Sequence, residues 1–287
     1  MYYVNGEFVK KEDAKISILD LAVLRGFGVF DFLRTYRGRP FHLWDHLLRL
    51  KYSTEQIGLA LPKSLNAIED IVYRLQTLNP LPEASIKLLV TGGVSTDQFS
   101  PQMASDLIAF IYPLSLYPSH FFSEGIKVMT TRFNRSLPTS KTTQYTPAIV
   151  AMQQGKQVNA QEVLYLNNQN EILEATTSNF FAFKDDTLYT CSSDEVLIGI
   201  TREVVLKLAS PYFPIKHQAL QYEEIPEMQE AFITASNKEV MPVVQVDTFK
   251  VGNGKVGPRT QKIMELFRDY TEKSEWPMLH IPRYTEL

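Results

Sequence analysis

The chain has 287 residues and a formal net charge of -3, with 44% of its residues hydrophobic and 21% charged. That balance excludes a chain too polar to fold, and it offers no electrostatic basis for binding nucleic acid or an anionic membrane surface. The single cysteine, Cys191, excludes an intramolecular disulfide and a cysteine-based metal cluster, and the length exceeds the usual single-core size, so two domains are expected.

Met1 to Gly6 holds no basic segment followed by an apolar one, and no apolar run approaches membrane-spanning length, so a cytoplasmic protein is expected. Tyr2 to Val4 and Glu7 to Val9 flank Asn5-Gly6, a pair that tolerates positive φ in a two-residue hairpin turn. Leu19 to Gly28 reads as a short helix and glycine-rich turn, and Val29 to Tyr36 as an alternating strand. Helices are expected over Leu43 to Ile57 and Ser64 to Leu78, where apolar residues recur at helical spacing. Ala84 to Thr91 and Asp106 to Leu116 read as strands, and Pro113 and Pro118 mark Leu114 to Phe122 as a linker.

In the second half, Ile126 to Thr131 is an alternating strand and Ala148 to Ala160 a helix-like run. Strands are expected over Glu162 to Leu166, Ile172 to Leu173 and Asn179 to Lys184, and helices over Arg202 to Leu208 and Glu223 to Glu230. Ala231 to Ala235 reads as a strand ending in Ser236-Asn237, before a short turn of helix. Lys250 to Pro258 is a glycine-rich turn region, and Thr260 to Lys273 a terminal amphipathic helix. Mixed strands and helices with many hairpin signals point to an α+β fold. The expected division is a small domain over residues 1–115, a linker over 116–122 and a larger domain over 123–287.

Three features of the second half carry chemistry together. Lys141 is delivered by the extended run Leu137-Pro138-Thr139-Ser140, Glu174 lies in a strand-and-turn setting, and Gly199-Ile200-Thr201-Arg202 opens a helix. An amine able to form a Schiff base, a carboxylate able to hold a pyridine nitrogen protonated and a helix start able to hold a phosphate are the needs of a pyridoxal phosphate site.

Six stretches, taken in order, make the chain resemble the fold-type IV pyridoxal phosphate enzymes: branched-chain aminotransferases, D-amino-acid aminotransferases and aminodeoxychorismate lyases. They are Gly26 to Asp31, Asp45 to Leu50, Lys141 to Tyr145, Glu174 to Phe181, Gly199 to Arg202 and Thr234 to Val243. The resemblance implies a smaller N-terminal and a larger C-terminal α+β domain with the cofactor site between them, in a homodimer. It implies that Lys141 forms the Schiff base and moves the proton, and that Glu174 pairs with the pyridine nitrogen. Arg49, the backbone of Ile200 and Thr201, and the side chains of Thr201, Thr234 and Ser236 are the implied phosphate ligands. Tyr145 matches a tyrosine that bonds the cofactor ring oxygen, and Asn179 a residue that holds the Glu174 loop.

Substrate choice is where the chain departs from its subfamilies. The Arg-x-His pair typical of D-amino-acid aminotransferases is absent from Gly92 to Gln98. Branched-chain enzymes usually carry Glu-Gly where this chain has Asp31-Phe32, and a glycine-rich turn where it has Ala175-Thr176-Thr177. Phe30, Phe32 and Tyr36 are candidates for an apolar side-chain pocket. Arg25 and Arg34, with Lys87 as a third, are candidates for the substrate carboxylate, which needs a cation or N–H array in a dry pocket. The expected reaction moves an amino group between an apolar or branched-chain amino acid and a 2-oxo acid. A D-amino-acid aminotransferase, a lyase eliminating pyruvate and an idle cofactor-binding dimer are the alternatives. The five histidines show no metal-ligand spacing.

Overall fold

The Asn5-Gly6 pair turns with φ of 42° and 110° and joins strands β1 (Tyr2–Val4) and β2 (Glu7–Val9). This and all that follows comes from a computed structural model describing residues 1–102 and 105–285. The chain divides into two compact units. The first gathers Met1–Ser115, Ser140–Gln144 and Glu275–Leu287, and the second Leu116–Thr139 and Tyr145–Ser274.

In the first unit, Asp20 caps helix α1 (Leu21–Arg25) by accepting from the Ala22 N–H, and Gly26 ends it with a left-handed φ of 63°. That turn feeds β3 (Gly28–Tyr36), followed by β4 (Arg39–Pro40), α2 (Leu43–Gln56), α3 (Leu65–Leu78), β5 (Ala84–Thr91) and β6 (Asp106–Pro113). The six strands lie in the order β2-β1-β6-β5-β3-β4, all neighbours antiparallel. Alternation divides β3 between two faces. Val29 and Leu33 join a core with Leu47 and Leu50 of α2 and Val72 and Leu75 of α3. Phe30, Phe32 and Arg34 take the other face, opposite Leu89, Lys87 and Ser85 of β5.

The second unit contains α4 (His120–Ser123), β7 (Ile126–Arg132), α5 (Thr146–Gln157), β8 (Glu162–Leu166), β9 (Ile172–Ala175), β10 (Asn179–Lys184), β11 (Thr187–Thr190), α6 (Ile200–Ala209) and β12 (Ile215–His217). It continues with β13 (Glu230–Ala235), β14 (Glu239–Val246), β15 (Phe249–Lys250) and α7 (Pro258–Thr271). The order β10-β13-β14-β7-β8-β9 closes on itself through the pair Asn179 and Glu174. Ile126, Val128, Leu164, Ile172, Ala175, Phe180, Ile233 and Met241 share the core that this ring encloses. Helices α6 and α7 pack on β13, and α7 also on β14.

Several expectations give way here. The expected helix over Glu223 to Glu230 is a 3-10 segment, Tyr222–Glu227, because Pro226 supplies no N–H, and Glu230 already belongs to β13. No turn of helix follows Ser236-Asn237: Ser236 to Lys238 form a hairpin turn, with Glu239 at φ 55° closing it into β14. The linker stretch carries α4. The helix expected at the terminus is α7, and the chain continues to α8 (Pro282–Thr285) in the first unit, where Tyr284 packs on Tyr52. Strands β11 and β12 have too few residues to announce themselves by periodicity.

Candidate active site

Glu174 owes its direction to a bulge. Between the pairs Leu164–Ala175 and Leu166–Ile172, strand β9 carries one residue more than β8. Ile172 and Ala175 both enter the enclosed core, so Leu173 and Glu174 both face outward. Without the extra residue, strict alternation would aim Glu174 into apolar packing beside Ile172.

Outside the ring the Glu174 carboxylate is clamped. Its Oε1 accepts from Arg135 Nη1 at 2.8 Å, and its Oε2 from the Leu197 N–H at 3.2 Å and from Asn179 Nδ2 at 3.4 Å. Arg135 also donates to the Pro138 carbonyl at 3.0 Å. Burial opposes the charge on Arg135, but Glu174 outweighs it and holds the guanidinium protonated. Tyr145 bears on Arg135 as well and stands at the start of α5, which runs from Thr146.

Register places Glu174, Asn179 and Thr234 in one row across β9, β10 and β13. Thr234 Oγ1 is buried with no hydrogen-bond partner among the described residues. Ile200 and Thr201 are the first residues of α6, which Gly199 begins with no side-chain cap. Leading N–H groups left without a cap make an anion site. Asn179 Nδ2 donates to the Leu197 carbonyl at 2.8 Å and so ties the Glu174 row to this helix start. Ser236 lies in the turn after β13. A carboxylate, an uncapped helix start and an unsatisfied hydroxyl are the set a pyridine ring bearing a phosphate would fill, so the second unit fits pyridoxal phosphate.

Gly199 is required there by space. A Cβ would meet Asn179 Oδ1 at 2.1 Å. Gly199→Ala is expected to destabilise the protein by about 1–3 kcal/mol, the usual cost of overpacking, as urea unfolding would read.

The first unit holds Lys141 and Arg49. Lys141 lies in a segment running antiparallel to the start of β3: the Phe30 N–H donates to the Lys141 carbonyl at 2.9 Å, and the Thr143 N–H to the Gly28 carbonyl at 2.9 Å. Ser53 Oγ of α2 accepts from the Lys141 N–H at 3.1 Å. Lys141 Nζ stands 4.7 Å from the Phe30 ring centroid, and Lys87 Nζ 4.6 Å from the same centroid. Burial pushes the Lys87 ammonium down from its ordinary value, and no carboxylate pairs with it among the described residues.

Arg49 is held by Asp31, through Nε to Oδ2 at 2.9 Å and Nη2 to Oδ1 at 2.8 Å. His46 Nδ1 donates to Asp31 Oδ1 at 2.6 Å, since an ionised carboxylate only accepts. Burial works against the Asp31 charge, but Arg49 and His46 outweigh it and hold its carboxyl well below the usual carboxylate range. Arg25 is exposed and donates from Nε to the Gln98 carbonyl at 3.2 Å. Arg34 is buried, its guanidinium 4.1 Å from the Tyr36 ring centroid and its Nε on the Thr35 carbonyl.

Two partners escape sequence reasoning, Asp31 and Arg135. Asp31 did leave a signal: it shares strand parity with Val29 and Leu33, and an acid on a core face needs a cation. Arg135 sits in irregular loop and left none.

The family described as amino-transferase class IV matches residues 28–246. A putative branched-chain-amino-acid aminotransferase of Methanocaldococcus jannaschii is 31% identical over 278 residues, covering 94% of this chain and 96% of the relative. A D-alanine aminotransferase of Staphylococcus aureus is 28% identical over 276 residues, covering 94% and 97%. The crystal structure of the Escherichia coli branched-chain amino acid aminotransferase superposes with a TM-score of 0.90 at 26% identity, covering 96% of this chain and 97% of that one. With this match from β3 to the end of β14, and a relative alike over nearly its whole length, the chain belongs to the class IV aminotransferase family.

Proposed function

We propose that this pyridoxal phosphate-dependent aminotransferase takes its amino group from an apolar, branched-chain amino acid, passes it to a 2-oxo acid, and works as a cytoplasmic homodimer. The observation that carries the apolar choice is the β3 face beside Lys141. The reactive amine stands over Phe30, and Phe32 follows on the same face. Similarity to a relative named for branched-chain substrates supports the choice. Similarity to a D-alanine aminotransferase supports a second reading, D-amino acid transamination, although the Arg-x-His pair is missing. Exposed Ile18, Val23, Val94 and Phe99 of the first unit support a protein partner, and sedimentation at micromolar concentration tests the dimer. No helix among the described residues is long and apolar enough to cross a membrane.

Pyridoxal phosphate, when bound, supplies an aldehyde for the amino group and a ring that accepts the electron pair left at the substrate Cα. This chain's residues supply the rest. Lys141 Nζ takes the Cα proton and returns one, which a flexible amine on a strand-held backbone suits. Glu174, fixed by Arg135, Asn179 and the Leu197 N–H, holds a proton at the pyridine nitrogen. Ile200, Thr201, Thr234 and Ser236, with Arg49, hold the phosphate, and Tyr145 the ring oxygen.

For the substrate carboxylate, Lys87 joins Arg25 and Arg34. A half-buried ammonium with no carboxylate partner among the described residues favours an incoming anion. Lys87→Met is expected to raise the KM for 2-oxo acid by roughly tenfold to a hundredfold, the worth of a charged hydrogen bond, with kcat changed less. Equal KM values would remove Lys87 from this role.

The test of the reading is a half-reaction screen. The yellow holoenzyme is mixed with single L- and D-amino acids, and loss of its visible band is followed. Fast bleaching by L-leucine, L-isoleucine or L-valine is expected. Bleaching by D-alanine alone would replace the reading with the second one.

A further inference from the structure

A buried ion pair in the second unit has no part in the chemistry above. Glu162, at the start of β8, and Lys238, in the turn between β13 and β14, meet at 3.0 Å with both side chains almost fully buried. Removing charges from water is costly, and such a pair persists only when further hydrogen bonds complete it. Here they come from one place. Thr176 and Thr177 donate to Glu162, Thr177 to Oε2 at 2.7 Å, and Ser178 donates to the same oxygen at 3.2 Å. Lys238 Nζ donates in turn to Thr177 Oγ1 at 2.6 Å and to Ser178 Oγ at 3.1 Å.

Those three hydroxyl residues are the whole turn between Ala175 and Asn179, which separates Glu174 from Asn179. The lysine belongs to the turn that carries Ser236 and follows Thr234. One buried pair therefore fastens two turns: that beside the carboxylate for the pyridine nitrogen, and that at the phosphate. The same ammonium also faces Tyr117, 5.8 Å from its ring centroid. Burial opposes both charges, but Lys238 with the Thr176 and Thr177 hydroxyls outweighs it for Glu162, and Glu162 with Tyr117 outweighs it for Lys238, holding Glu162 below the usual carboxylate range and Lys238 above its ordinary one.

We infer that Lys238 and Glu162 are positioning residues for the cofactor, setting the spacing between the Glu174 turn and the Ser236 turn. The inference rests on the pyridoxal phosphate reading of these turns. Its consequence is that affinity for the cofactor depends on the pair beyond its effect on folding.

The experiment titrates the apo forms of wild type, Lys238→Met, Glu162→Gln, the Lys238→Met/Glu162→Gln double variant and Thr177→Val with pyridoxal phosphate. Protein fluorescence gives Kd, at a temperature where circular dichroism shows the protein folded. Each single variant of the pair leaves a buried charge without its counter-charge and is expected to lose thermal stability. The double variant leaves no buried charge and is expected to regain much of that loss. Its Kd is nevertheless expected to stay roughly tenfold to a hundredfold above wild type, the range over which loss of an orienting partner acts on a bound group. Thr177→Val keeps both charges but removes the hydroxyl that bonds both members of the pair, loosening the turn on them. It is expected to raise Kd by about threefold to tenfold, the worth of one hydrogen bond, and it serves if the pair variants do not fold. The pH midpoint of the holoenzyme's visible band is expected to shift in the double variant, which a purely structural role would leave in place. Wild-type Kd in a folded double variant, or in Thr177→Val, would overturn the inference. Failure of the wild type itself to bind pyridoxal phosphate would overturn the cofactor reading instead.

Discussion

Replacing Lys141 with alanine is expected to reduce transamination at least about a thousandfold, because the only group proposed to move the Cα proton is lost, and positioned proton transfer alone contributes roughly 10²–10⁴-fold. The backbone of the segment makes the result interpretable. The segment is held to β3 and Ser53 by the Phe30 N–H on the Lys141 carbonyl, the Thr143 N–H and Oγ1 on the Gly28 carbonyl, and the Lys141 N–H on Ser53 Oγ, all of which an alanine at 141 keeps. The variant should therefore fold, still bind pyridoxal phosphate through the phosphate ligands, and show a shifted visible band. A variant retaining a tenth of wild-type turnover would move the proton-transfer role to another group. Lys87 would be the first to examine, since its Nζ lies over the same ring.

Asp31→Asn is expected to have the largest effect on stability. It leaves the buried Arg49 guanidinium without its bidentate carboxylate, and removing one partner of such a pair costs about 3–5 kcal/mol. Urea unfolding measures it, and loss of less than about 1 kcal/mol, the worth of an exposed pair, would show that Arg49 finds another anion. The acid dependence follows from the same three residues. The folded-state pKa of Asp31 is depressed, so its contribution is complete above the unfolded carboxylate value of about 4 and is lost as pH falls below that. Burial, with Arg49 and His42, also depresses His46 against the opposing pull of Asp31. The unfolded chain then takes up a proton at this histidine below its ordinary value of about 6.5 while the folded chain does not, so stability declines from there as pH falls. Two declines are expected, and His46→Gln should reduce the upper one, to which His217, also depressed by burial, contributes as well.

The α+β class and the family were both legible in the linear chain. Hairpin chemistry at Asn5-Gly6, helical spacing in α2 and α3, and six ordered stretches need no tertiary information, because turn residues and periodicity are local properties. Lys141, Glu174, Arg49 and the Gly199 to Thr201 helix start stood out as candidates for the same reason. What grips them did not. Asp31 lies on β3 and holds an arginine on α2, Arg135 reaches Glu174 across a stretch of 39 residues, and Lys238 reaches Glu162 across 76.

The chain alone therefore determined which chemistry is present: an amine, a carboxylate and an anion-binding helix start in the order of one family. Tertiary structure alone decided their setting. The segment Ser140–Gln144 pairs with β3 and belongs with the first unit, although the chain on either side of it belongs to the second. The direction of Glu174 depends on the extra residue in β9, since a strand's period is two and one inserted residue exchanges its faces. Such a register is set by which neighbour a strand meets, and no local pattern in the sequence records it.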